Sequence, residues 1–193
     1  MADLMASGEV EFDSFAKKYK NFMVPAVKIK IGGSDIISSL KLAVENLSVV
    51  QCLNSAGSCN FSVVNAYDGK ASKFDSKILS KLKPGTIVEV ELGYESSTTM
   101  VFKGYISDVT VKFDDAPVID VTGMDVCKLM MDGRRRMLKH DVKNYSDAFN
   151  KVMSKYSKVC GNLVVDKTTE NMKDDGVTQT RSDYHFIAND IAD

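Results

Sequence analysis

The chain has no tryptophan, two histidines, three prolines and four cysteines. Each shortage excludes something. Sugar-binding platforms are built from exposed flat aromatics, so a module with no tryptophan lacks the main tool of that class. Acid-base or nucleophilic catalysis near neutral pH needs a base beside a nucleophile, and only His140 and His185 are available. His140 lies in the basic segment RRRMLKH and reads as part of a solvated connection, while His185 sits next to Phe186 on a helix. Cys52, Cys59, Cys127 and Cys160 form no CxxC pair, and tetrahedral zinc needs four close ligands. Each lies in or beside an apolar segment. They read as reduced thiols of a cytoplasm-made protein, with a Cys52–Cys59 bridge across the Asn54–Gly57 turn as the alternative.

Other signals are missing too. There is no GxGxxG, P-loop or calcium-binding loop, and Asp114-Asp115 and Asp174-Asp175 stand in turn contexts that favour Asp for local hydrogen bonding. No catalytic, cofactor-binding or metal-binding residue is therefore assigned, and the expectation is no enzyme. A net charge of −1 from 25 basic and 26 acidic residues gives no global field for nucleic acid or an anionic membrane. No apolar run approaches the roughly 18 residues of a spanning helix. The start MADLMASGEVEF has neither a basic n-region nor an apolar h-region, so no secretory signal is expected. At 193 residues and 44% apolar, the chain can bury an ordinary core in one large domain, or in one domain plus part of another.

What is present is alternation. In PGTIVEVELGY, Val88, Val90, Leu92 and Tyr94 share one face, while Ile87, Glu89, Glu91 and Gly93 share the other. In MVFKGYISDVTVKF, Phe102, Gly104 and Ile106 share a parity, but Val109, Val111 and Phe113 have the opposite one, so the phase slips near Ser107-Asp108. A long strand keeps its apolar side inward across such a slip only by a bulge. Leu40 to Leu53 repeats the slip near Glu45-Asn46. Val27, Ile29 and Ile31 before Gly32-Gly33, and Cys59, Phe61 and Val63 before Asp68-Gly69, give two further strands. Phe74, Ile78 and Leu82 before Pro84-Gly85 predict one helix of about three turns. Phe12, Phe15, Tyr19 and Phe22 predict a short amphipathic helix or arm. Tyr145 to about Ser157 predicts a helix with Ser146 as N-cap. A similar helix starts at Ser182-Asp183, with Tyr184, Ile187 and Ile191 on one face, and the chain stops inside it.

The expected fold is therefore α+β, mainly β: an antiparallel tube-type β-barrel with one flanking helix, followed by the start of a second α/β domain. The division is a helix or arm at 1–23, a barrel domain at 24–131, and a helix-containing, incomplete second domain at 132–193.

The order PAVKIKIGG, AGSCNFSVVNAYD, LKPGTIVEVELGY, VFKGYISDV, VIDVTGMDVCKLM and SDYHFIANDIAD resembles the late control protein D family of contractile phage tails. It is also similar to the hub part of VgrG-type spike proteins. The resemblance covers about Val24 to Asp193. It implies a baseplate hub protein in a phage virion tail or phage-tail-like particle, in which three subunits each give two barrels to a ring that joins tail tube to spike without turnover. Its partners would be further copies of itself as a trimer, the tube protein, the spike protein and other baseplate subunits, with no nucleic-acid recognition and no membrane span. The second barrel is missing here, as in a fragment or a short variant. On this reading the Thr86 to Val121 strands supply the inner wall and intersubunit contact through Glu89 and Glu91. The loop Tyr67 to Lys73 and the N-terminal arm meet other subunits, and Arg134, Arg135 and Arg136 form a solvated loop, a contact for an acidic partner or, as the least favoured alternative, a nucleic-acid contact. The alternatives are a tail-tube (Hcp-like) subunit and a β-rich binding module of a larger protein.

Overall fold

The computed structural model describes residues 12–53, 55–113, 116–133, 137–168 and 177–191. Two compact units are found, one ending at Asp125 and the other starting at Val126.

The first unit is built on a seven-stranded antiparallel sheet in the order β2-β1-β7-β8-β9-β4-β3. These strands are β1 (Pro25–Ile31), β2 (Ser34–Asp35), β3 (Val44–Val50), β4 (Ser58–Val63), β7 (Ile87–Tyr94), β8 (Ser97–Lys112) and β9 (Val118–Met124). Gly32 and Gly33, both at positive φ, make the two-residue turn from β1 to β2, a geometry glycine adopts without steric cost. A small hairpin of β5 (Tyr67–Asp68) and β6 (Lys73–Phe74) precedes the helix α3. Helices α1 (Phe12–Lys18), α2 (Ile36–Leu40) and α3 (Ser76–Lys81) complete the unit.

Both predicted slips are register shifts. The β8–β9 pairing jumps between Ile106 and Asp108. The β3–β4 pairing jumps between Glu45 and Ser48, where Asn46 takes a left-handed φ of 55°. A third shift, between Val90 and Glu91 opposite Phe102 and Met100, leaves Val101 as the extra residue. With these corrections the inward residues of every long strand meet in one cluster, including Ile29, Ile31, Phe61, Val63, Val88, Val90, Phe102, Ile106, Ile119 and Val121. Ile36, Ile78 and Leu82 join the same cluster from the segments beside the sheet.

Two expectations need correction. The fold is mainly β and α+β as expected, but among the described residues no ladder joins the edge strands β2 and β3, so their pairing does not close the sheet into a barrel. The predicted three-turn helix is six residues long. Asp75 is its N-cap, accepting from Lys77 N at 2.7 Å, which excludes Phe74 from the helix and leaves it to pair with Tyr67 in β6.

The second unit contains α4 (Val126–Asp132), β10 (Leu138–His140), α5 (Tyr145–Met153) continued by a 3-10 turn (Ser154–Tyr156), β11 (Val177–Gln179) paired with β10, and α6 (Asp183–His185), which passes into a π-helix (Phe186–Ile191). The cap of α5 is Asn144, not Ser146. Its Oδ1 accepts from Asp147 N and from the Ser146 hydroxyl, both at 2.8 Å, so the Ser146 oxygen is turned away from capping. Ser182 does cap α6, but the wider π turn that follows moves the buried face onto Phe186. Met130, Ala148, Val152 and Met153 are buried in the same unit. All four cysteines are free thiols, and burial pushes the Cys59 thiol up to about 11.

Two sheet glycines, Gly93 and Gly104, allow close backbone approach. A Cβ on Gly104 would lie 2.1 Å from the Met124 carbonyl oxygen, whereas one on Gly69 would meet nothing within 4 Å. Gly104→Ala should lower stability by about 2–3 kcal/mol, read as a fall in the urea midpoint. Gly69→Ala should stay within about 0.5 kcal/mol of the parent. Equal midpoints for the two variants would contradict the packing described.

Candidate interaction surfaces

The predicted contact residues Glu89 and Glu91 lie on the outward parity of β7, between β1 and β8. The Lys103 ammonium from β8 lies 3.3 Å from the Glu89 carboxylate. Glu91 accepts from the Lys30 ammonium and, at 2.8 Å, from the Thr98 hydroxyl, with Lys28 at 4.0 Å. Lys30, then Thr98, hold the Glu91 carboxyl below the usual carboxylate range, and Glu91 in turn raises Lys30. These are cross-strand neighbours on one face of the sheet. A partner would therefore meet a paired Lys–Glu lattice of three lysines and two glutamates and not bare carboxylates.

Beside the lattice lies an aromatic arm. Phe22 and Tyr19 pack edge-on against Tyr94 with centroids 5.1 and 6.0 Å apart, and Phe12 packs on Phe22 at 6.1 Å. Lys20, Asn21 and Phe22 all have left-handed φ, between 50° and 58°, an arrangement that costs energy for residues other than glycine. The arm leaves Phe12 and Met23 mostly exposed, and Val24 just before β1, Val27 on β1 and Met100 on β8 are exposed beyond it. At another edge of this unit, Tyr67, Phe74 and Phe113 form an edge-to-face trio, with Phe113 exposed.

The second unit carries a polar network that the sequence did not reveal. His140, expected in a solvated connection, is only 1% exposed and stacks on Phe186 at 5.2 Å. The Gln179 amide nitrogen donates to Asp183 Oδ1 at 2.6 Å and to the Arg181 carbonyl at 3.0 Å, which leaves its oxygen to accept from His140 Nε2 at 2.9 Å. That assigns the hydrogen to Nε2, and His140 Nδ1 is buried with no partner among the described residues. Asp183 Oδ2 accepts from the Tyr156 hydroxyl at 2.7 Å and from Lys155 at 3.1 Å. Burial alone would raise the Asp183 carboxyl, but the hydrogen bonds from Gln179, Tyr156 and Lys155 outweigh it and hold the group below its usual value. The only sequence signal was the spacing of Gln179 and Asp183, and nothing marked His140 as buried.

In front of this network opens a cleft of about 630 Å3, lined by Met131, Gly133, Thr180, Arg181, Ser182 and His185. Ser182 and His185 approach within 2.8 Å, but the serine is the helix cap, 7% exposed, and its oxygen also accepts from the His185 backbone. The contact therefore closes a helix end. The predicted contact residues Arg134, Arg135 and Arg136, and the pairs Asp114-Asp115 and Asp174-Asp175, lie outside the described residues. Among the described residues no three of His, Cys, Asp and Glu gather as a metal site, and no helix is long and apolar enough to cross a membrane.

A family model described as the Alg8 N-terminal domain matches residues 21–191. It is this family, and not late control protein D, that the sequence matches. No curated protein matches the chain. Among the solved structures that share its fold are the following three. A tail protein from Neisseria meningitidis MC58 is 17% identical over 80% of this chain and 41% of its own, with a TM-score of 0.51. The 43 kDa tail protein of prophage MuSo2 from Shewanella oneidensis is 13% identical over 85% of this chain and 46% of its own, at 0.59. A chain of the half-lidded Francisella PdpA–VgrG complex is 15% identical over 92% of this chain and 30% of its own, at 0.53. The chain thus spans less than half the length of each of these relatives.

The Asp183 bonds set a pH dependence. A carboxylate held below its unfolded value contributes stability that is present above the unfolded pKa of about 3.9 and is lost as pH falls through the folded value. Asp183→Asn should lower stability at pH 7 by about 1.5–3 kcal/mol. In urea melts at a series of pH values, the gap between parent and variant should narrow below about pH 4. A gap that is constant with pH would mean that the charge is not what the network holds.

Proposed function

The chain belongs to the Alg8 N-terminal domain family, and from that premise and the fold it shares with tail and VgrG-complex proteins we propose that it is a structural baseplate hub subunit. In this reading it joins the tail tube to the spike of a contractile phage tail or related injection particle and catalyses nothing. The observation that carries the proposal is the match of the bulged sheet and the following unit, together, to tail-protein structures over 80% or more of this chain. The second unit favours a hub over a tube subunit, since a tube wall needs only the sheet and its helix. The late control protein D resemblance adds the expectation of a trimer, assembled from the full length of such proteins.

The sheet suits such a role physically. Its edge strands β2 and β3 have one ladder partner each among the described residues, which suits pairing with a neighbour. Its outer face offers a paired Lys–Glu lattice flanked by exposed apolar side chains, a mixture typical of subunit contacts. The arm at 12–22 and the Tyr67–Phe113 aromatic trio supply further faces for other baseplate subunits.

Glu91→Lys alone would set a new cation beside Lys28 and Lys30 and so disturb the chain itself. The double variant Glu91→Lys with Lys30→Glu restores an opposite-charge pair and reverses its direction. It should melt within about 1 kcal/mol of the parent, yet reduce the yield of joined tube–spike particles. A normal particle yield from the double variant would remove this face from the contact.

A further inference from the structure

The cleft of the second unit has an asymmetric lining. Its described walls hold one guanidinium, one imidazole, two hydroxyls and a methionine, and among them no carboxylate and no aromatic ring. Three lysines of this unit are matched within the chain, Lys128 with Asp132, Lys139 with Asp141 and Lys155 with Asp183, whereas Lys143, Lys151, Lys158 and Lys167, which do not line the cleft, have no carboxylate partner among the described residues. Arg181 is exposed and has no carboxylate partner among the described residues. The nearest acid in sequence, Asp183, is already held by Gln179, Tyr156 and Lys155.

The backbone that presents Arg181 is fixed from behind. Its own carbonyl accepts from the buried Gln179 amide, Gln179 is fastened to buried His140 on one side and to Asp183 on the other, and Ser182 closes the helix that follows. A side chain held on a set backbone loses less freedom when it binds than one on a loose loop. Met131 supplies an apolar wall opposite the polar residues of 180–185.

We propose that this cleft is a docking site for an acidic segment of a partner protein, with Arg181 taking an Asp or Glu carboxylate in a forked pair and Met131 receiving an adjacent apolar side chain. A guanidinium matches a carboxylate with two parallel hydrogen bonds, and the Thr180 hydroxyl stands beside it as a further donor. A nucleic acid is the poorer fit, because single strands are held by aromatic platforms, of which there is none among the described lining residues. The inference rests on the assembly reading only in making the partner a protein. The assay below uses the isolated chain, so it can fail while particle assembly stands, or succeed while the hub reading falls.

The test is fluorescence anisotropy of the whole chain with a labelled oligoglutamate peptide carrying interspersed leucines, at low and moderate salt. The expected result is saturable, salt-weakened binding. Arg181→Gln should weaken it at least about tenfold with an unchanged thermal melt, and Arg181→Lys should recover only part of the loss because an ammonium cannot form the fork. The matching oligoglutamine peptide should not bind, and inorganic phosphate should compete only weakly. Four results would each overturn the assignment: no binding at low salt; equal binding by Arg181→Gln; tighter binding of single-stranded DNA than of the peptide; or binding that survives Arg181→Gln but is abolished by replacing Arg134, Arg135 and Arg136 together with Gln. The last would put the anion on the arginine run and not in the cleft.

Discussion

A strand shows alternate side chains to opposite faces, so a single extra residue exchanges what is buried for what is exposed. The first unit depends on this constraint more than on any individual contact. Its longest strand, β8, has 16 residues, which at ~3.3 Å per residue is far longer than a flat, regular strand can keep against one small core. Register shifts at Val90/Glu91 and Ile106/Asp108 reset the phase of the β7–β8–β9 pairings, and a third does so for β3 on β4. Bulges also increase local twist, which curls a sheet around one cluster of side chains. Gly104 belongs to the same solution, because the β8 backbone lies so close to the Met124 carbonyl that no side chain fits between them.

Polar groups follow a corresponding logic in the two units. On the sheet, Glu89 and Glu91 are covered by three lysines from the neighbouring strands, which offsets their charge while leaving the outer face polar. Such half-exposed pairs contribute little to stability and more to which surfaces can approach. In the second unit the polar atoms are turned inward. His140, Gln179 and Asp183 form a chain in which each donor and acceptor but one has a partner, and the exception is His140 Nδ1. A network of this kind fixes backbone geometry at the surface segment it supports.

The sequence revealed most where a periodic pattern was broken at one place. The slips at Ser107-Asp108 and Glu45-Asn46 could be read because apolar residues lay on both sides to define the phase. The third shift, at Val101, was invisible, since Val101 and Phe102 are both apolar and give no phase to compare. The helix after Phe74 was overextended because three apolar residues at i, i+4 and i+8 carry no information about where a cap intervenes, and the Asp75 cap set the boundary. Sheet closure was likewise not legible, since whether β2 reaches β3 depends on curvature and not on composition. His140 was misjudged because three arginines upstream dominate its local composition, while its burial comes from Gln179 and Phe186, about forty residues away. Glu89 and Glu91 lie on the parity that alternates with the buried Val88 and Val90, as the pattern expects, but their lysine partners come from other strands and are not legible before the strand order is known.

These features describe a chain whose apolar residues build one curled sheet and one small second unit, and whose remaining surface is a set of faces without a built reaction centre among the described residues. The central claim is that the faces serve assembly at the junction of tube and spike. Electron cryomicroscopy of intact particles carrying a labelled form of the chain tests it most directly. The account predicts label at the single end where the tube meets the spike, in every joined particle. Label distributed along the tube, or particles that are complete without the chain, would contradict it.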